Sequence, residues 1–264
     1  MFSSLFTKTL YNLRWHLFGW SLATGFIAFI TMAFYNSFDQ AGIEDIVNSV
    51  PESLRSLVGS VEDFKTVPGY VGQQIFGPNI VIITIAMAII VAVAISASEE
   101  DDGRMHSLLS LPITRTSAFW QKLLAILIVF AAVSAFIVVG LALALPIVDK
   151  SVDWSRVWQS AFDCWLMTTA YGMVAYAIAM LTGKKGLTVA IASGYAALSF
   201  IISSLAPAVD GLKTIDKLSI FHYYNNPQVM QHGLDAGNAW TLVAIIVGLI
   251  IIGWVGFTRR NIET

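Results

Sequence analysis

The chain has 264 residues, of which 56% are hydrophobic and only 12% charged, with a net charge of −2. A water-soluble domain carries about 25% charged residues, so most of this surface is not built for water, and the near-neutral balance gives no global signal for nucleic acid. The lone Cys164 excludes an intrachain disulfide and a cysteine-based zinc site; inside an apolar stretch, it reads as a packing residue.

The start, Met1-Phe2-Ser3-Ser4-Leu5-Phe6, lacks the basic region, short apolar core and small-residue cleavage site of a signal peptide. Phe2, Leu5, Phe6, Leu10 and Leu13 share one helical face, with Ser3, Thr7, Lys8, Asn12 and Arg14 elsewhere. That spacing predicts an amphipathic elbow helix over 1–14, lying in the inner interface and leading into the first span. Six uncharged or nearly uncharged runs follow, giving spans at about 15–38, 78–98, 119–145, 160–182, 187–208 and 238–258. Each is long enough to cross the hydrocarbon as a helix, which satisfies its own backbone in lipid. The prediction is an all-α integral membrane protein, one transmembrane domain over 1–264.

Basic residues orient it. With the N-terminus inside, the short inner segments hold Lys8, Arg14, Arg104, Arg115, Lys122, Lys184, Lys185, Arg259 and Arg260. The longer outer segments hold Arg55, Lys65, Lys150, Arg156, Lys213 and Lys217. The higher inner density places both termini in the cytoplasm. The long external loop, 39–77, repeats Ile43, Ile46, Val47 and Val50, then Leu54, Leu57 and Val58 after Pro51. This predicts short helices on the outer face. Segments 151–159 and 212–230 are read the same way, with Trp154, Trp158, Tyr223 and Tyr224 at headgroup depth.

The segment after the second span, 99–117, is the most informative. It opens on Glu99-Glu100-Asp101-Asp102, continues through a short apolar stripe of Met105, Leu108 and Leu109, and is stopped by Pro112. Thr116 or Ser117 is positioned to cap the next helix. A projecting helix with an apolar stripe needs a cover, either the membrane surface or a soluble partner. Asp163 is the one carboxylate set within a span, near its outer start. It is either part of a translocation path or an interfacial group, wet or paired with Arg156. Thr182-Gly183-Lys184-Lys185-Gly186 reads as a tight inner turn. It lacks the earlier glycine of a phosphate loop, and Lys185 stands where Ser or Thr is required. The histidines His16, His106, His222 and His232 show no metal-ligand spacing.

Taken in order, Glu99-Glu100, Gly103-Arg104, Leu108-Leu109-Ser110-Leu111-Pro112-Ile113-Thr114-Arg115 and Lys122 resemble the pattern of ABC-2 family transporter permeases, the membrane subunits of ABC-type exporters. In those permeases an acidic pair, Gly-Thr, a leucine-rich turn and Pro-Ile-Ser/Thr-Arg precede a Lys that starts the third span. Arg104 departs from the usual Thr, and Asp101-Asp102 makes the acidic cluster heavier. Pro51-Glu52-Ser53-Leu54, Gly69-Tyr70, Leu218-Ser219-Ile220-Phe221-His222-Tyr223-Tyr224 and Phe257-Thr258-Arg259-Arg260-Asn261-Ile262 are similar to the same family.

The resemblance implies that 99–117 holds a short cytoplasmic coupling helix that docks on an ATPase subunit, helped by the elbow. Glu99, Glu100, Gly103, Leu108, Leu109, Pro112 and Arg115 then lie at or beside that contact. It implies no catalytic residue, cofactor or metal in this chain; ATP and magnesium belong to cytoplasmic ABC ATPase subunits. It further implies a second permease copy or homologue in the plasma membrane of a bacterium, with Gly19, Gly25, Ala190, Gly194 and Ala197 available for close packing. Two other readings stay open: an ABC-linked sensor or immunity component without bulk export, and a membrane phospho-alcohol transferase holding magnesium at 99–102. The transferase needs further aspartates about a dozen residues on, and 112–122 has none.

Overall fold

The computed structural model describes residues 4–40, 66–101, 114–224 and 226–260, and every regular element among them is helical. Six helices or helical runs are long and apolar enough to cross a membrane: Arg14–Ser37, Val67–Asp101, Arg115–Val148, Trp154–Thr182, Lys185–Leu205 and Ala236–Arg259. This is the all-α, six-span class that the hydropathy predicts. The proposed outer-face helices at 43–58, with Pro51-Glu52-Ser53-Leu54, lie outside the described residues.

Helix α1, Leu5–Asn12, starts in a capping box: the Ser4 hydroxyl accepts the Thr7 N–H at 3.2 Å, and the Ser4 N–H reaches Thr7 Oγ1 at 3.3 Å. It turns at Leu13 into α2, Arg14–Ala33, which α3, Tyr35–Gln40, extends. The elbow therefore exists, but its faces differ from the expectation. Leu5, Thr9 and Leu13 are buried against protein, while Phe6 and Leu10 are only half covered. The reason is the next-but-one span: α7 (Arg115–Val148) runs under α1, and its Gln121 Oε1 accepts the Phe6 N–H at 2.9 Å.

Helix α2 divides its sides cleanly. Trp15, Phe18, Leu22, Phe26 and Ile30 are exposed at helical spacing, while Ser21, Thr24, Gly25, Ala28 and Met32 are buried along α7. Lipid tails are as apolar as leucine, so contact between spans rests on close packing, which small residues allow. Gly25 and Gly140 are the point of closest approach: a Cβ on Gly140 would stand 1.9 Å from the Gly25 carbonyl oxygen. Gly25, expected at a contact between permease copies, is thus used within the chain, whereas Gly19 and Gly194 have nothing within 4 Å of an added Cβ.

The second span enters through α4, Val67–Tyr70, capped by Thr66 Oγ1 on the Gly69 N–H, and a π-helical turn over Val71–Ile75. Tyr70, Val71, Ile75 and Phe76 are fully buried, and Tyr70 donates to the Thr31 carbonyl at 2.7 Å. Helix α5, Pro78–Ala94, follows, then a break at Ile95-Ser96 and the short α6, Ala97–Asp101. The cap of α7 is Thr114, whose hydroxyl accepts the Ser117 N–H at 3.2 Å. That corrects the expected Thr116 or Ser117, because Arg115 already belongs to the helix.

Helix α8, Trp154–Thr182, is the hub, packed on α5, α7, the fifth span α9 (Lys185–Leu205) and the sixth span α12 (Ala236–Arg259). Between α9 and α12 stand the short α10, Lys213–Asp216, and α11, Asn226–His232. Tyr224 donates to the Phe76 carbonyl at 2.6 Å, and His222 Nδ1 lies 2.6 Å from Asp216 Oδ2. Tyr224, expected at headgroup depth, is therefore held by a protein group. Phe119, Phe130, Tyr176 and Phe257 fill the core at the opposite end of α8, with Tyr176 donating to the Phe119 carbonyl at 3.1 Å.

Candidate functional site

The end of the bundle that carries α1 and the close of α12 holds a set of paired charges. Its organisation follows from the break after α5. Ser96 donates its hydroxyl back to the Ala92 carbonyl and α6 starts a fresh turn, so Glu99, Glu100 and Asp101 fan out around a short helix. Each of the three carboxylates then reaches a different element.

Glu99 turns inward to Lys122 of α7, Oε2 to Nζ at 2.5 Å, with both side chains buried. Such a pair repays its desolvation only when both partners are present; removing one leaves a bare buried charge. Glu100 pairs with the Arg260 guanidinium at the close of α12. Asp101 Oδ2 accepts the Lys185 backbone N–H at 3.3 Å, at the start of α9. An acidic group at a helix N-terminus offsets the positive end of its dipole, and here it does so beside Lys184 and Lys185.

Two further contacts close the ring. Arg115, in the first turn of α7, donates to the Arg260 carbonyl at 2.6 Å. Gly183, the C-cap of α8, has φ +66 and donates its N–H to the Ala179 carbonyl at 2.8 Å. A Cβ there would fall 2.4 Å from Glu100 Oε1 and 2.5 Å from Arg260 Nη1. The left-handed backbone favours glycine at 183, and a side chain there would displace the flexible ends of Glu100 and Arg260.

The structure thus brings Glu99, Glu100 and Arg115 of the sequence-derived set to one polar node. Gly103, Leu108, Leu109 and Pro112 lie outside the described residues; they belong to 102–113, the segment whose two ends the node holds. Sequence reasoning missed the partners. Arg260 was read as an orientation anchor, Lys122 as part of a family pattern, and Gly183 as a turn residue. The available signal was the coincidence of opposite charges at span ends expected on the same side.

Asp163, the remaining candidate, is at the other end of α8. It is buried, at 2% exposure, and makes no hydrogen bond or ion pair among the described residues. The expected pairing with Arg156 is not formed; the Arg156 guanidinium packs against Gly233 instead. Among the described residues no group of three or more His, Cys, Asp or Glu side chains is placed to hold a metal ion.

The chain matches a family model over residues 9–258, described as the multidrug efflux system permease Rv1217c, C-terminal domain. The chain belongs to this family. The match takes in the end of the elbow helix and reaches into all six spans, so the membrane protein described above is a permease. No curated protein matches the chain.

Proposed function

We propose that this chain is the membrane subunit of an ATP-driven exporter of the ABC type, paired with a second permease copy or homologue and worked by separate cytoplasmic ATPase subunits. Segment 99–117 is the lever, with its node facing the cytoplasm. The observation that carries the reading is the ring at its base: Glu99 to α7, Glu100 to α12, Asp101 to α9, and Arg115 back to Arg260. A force applied between residues 102 and 113 enters the bundle through those contacts and reaches four of the six spans at their ends, α8 through Gly183 included. Leu108 and Leu109 meet the ATPase, while Glu99 and Glu100 act beside the contact by keeping the base rigid.

The membrane supplies the reason for placing the lever there. Spans with few charges transmit motion as rigid helices, and only their ends offer polar groups that a soluble subunit can grip. The family match to an efflux permease supports outward transport, and apolar spans with few internal charges suit an amphiphilic cargo. The apolar outer faces, those of α9 and α12 above all, leave room for lipid and for a second copy.

The test is the double substitution Leu108→Asp with Leu109→Asp. Burying two leucines against a partner is worth about 3–6 kcal/mol before ordering costs. The expected outcome is loss of ATPase co-purification, or of cargo-linked hydrolysis, with membrane insertion intact. A double variant that still assembles and transports removes the lever from this segment.

A further inference from the structure

At the end of the bundle opposite the node, a cleft of about 480 Å³ lies between α8, α11 and the start of α12. Its wall includes Asp163, Tyr223, Gln228, His232, Asp235 and Asn238. We propose that this cleft is a binding site for an organic monocation, an ammonium or phosphonium group carried on an apolar body, with Asp163 as its counter-ion.

The argument begins with Asp163 itself. It is buried with no hydrogen-bond or ion-pair partner among the described residues, and a buried carboxylate without a partner is costly to keep. Here the side chain borders a space large enough for a ligand, since small-molecule sites run from about 300 to 1,000 Å³. The sign of the lining comes next. Asp163 and Asp235 both contribute carboxylates, although Asp235 also caps α12 by accepting the Asn238 N–H at 3.0 Å. Among the described residues no lysine or arginine forms the wall; the Arg156 guanidinium packs against Gly233, itself part of the lining. Two carboxylates oppose an anion. The absence of a metal-sized cluster among the described residues, together with the volume, opposes a bare inorganic ion. Tyr223 is part of the wall, held in place by its hydroxyl on the Lys217 carbonyl at 2.9 Å, and an aromatic ring can attract a poorly hydrated cation.

The inference deepens the export reading and rests on it only for the route the cation would take. Binding is measurable on the purified chain without any ATPase, so failure here leaves the lever test standing, and failure of the lever leaves this site standing. The probe is tetraphenylphosphonium, measured by equilibrium dialysis against the chain in lipid nanodiscs, with empty nanodiscs subtracted and uncharged triphenylphosphine oxide as the counterpart. Saturable binding of the cation is expected, weakened about tenfold or more by Asp163→Asn, with triphenylphosphine oxide unchanged by the substitution. Asn238→Asp, which adds a carboxylate without removing one, is expected to tighten the cation about threefold. Equal affinity of wild type and Asp163→Asn, or a parallel loss for both probes, overturns the proposal. If Asp163→Asn does not fold, Asn238→Asp decides: tightening supports the site, and no change or weakening overturns it.

Discussion

Two buried carboxylates, Glu99 and Asp163, sit at opposite ends of one helix bundle and are treated in opposite ways. Glu99 is 8% exposed and has Lys122 at 2.5 Å. Asp163 is 2% exposed and has no partner among the described residues, only a cleft beside it. The same functional group thus does two jobs. Where the chain supplies its own counter-ion, the carboxylate fixes the geometry of helix ends. Where it does not, the carboxylate is left for something that comes from outside. Burial alone does not separate these roles; the presence of a partner does.

Substitutions that remove each charge in turn should break the comparison cleanly. The largest effect is expected from Glu99→Gln, which leaves Lys122 buried and unpaired: a loss of about 3–5 kcal/mol, read as a lower midpoint in denaturant titration of the detergent-solubilised chain. Replacing both partners, Glu99→Gln with Lys122→Met, should recover most of it, since a pair exchanged for neutral groups is often tolerated. Gly183→Ala should cost about 1–3 kcal/mol for the left-handed backbone, and it also pushes Glu100 and Arg260 apart. Gly183→Asn is expected to be milder, because asparagine visits that backbone region more readily. Smallest is Asp163→Asn, expected to leave thermal stability unchanged or raise it, because no partner is orphaned. A large destabilisation there would mean that Asp163, too, is held by a contact within the protein.

The sequence made much of this legible, for physical reasons that also mark where legibility stops. Span number follows from unbroken apolar runs against a fixed hydrocarbon thickness, so six spans could be read from hydropathy alone. Faces were harder. The elbow's apolar stripe pointed to lipid, yet Leu5, Thr9 and Leu13 are covered by protein, because a short amphipathic pattern does not say whether lipid or protein covers it. Gly25 was legible as a close-packing residue, but its partner, Gly140, is more than a hundred positions away and could as well have been in another subunit. The charged node shows the same limit. Glu99 and Glu100 stood out as acidic residues at a span end, while their pairing with Lys122 and Arg260 depends on how α6 fans out after Ser96, which no local spacing records.

The central claim is that the Glu100–Arg260 pair joins the lever to the last span. Under the proposed function, it is tested most directly by charge exchange in a complex purified with the proposed ATPase subunits. Cargo-stimulated ATP hydrolysis would be measured for Glu100→Arg, Arg260→Glu and the two combined, after confirming that each variant inserts and assembles. The account predicts that either single reversal uncouples hydrolysis from cargo and that the double exchange restores a substantial part of the stimulation. Single reversals that remain fully coupled, or a double exchange no better than the worse single, would contradict it.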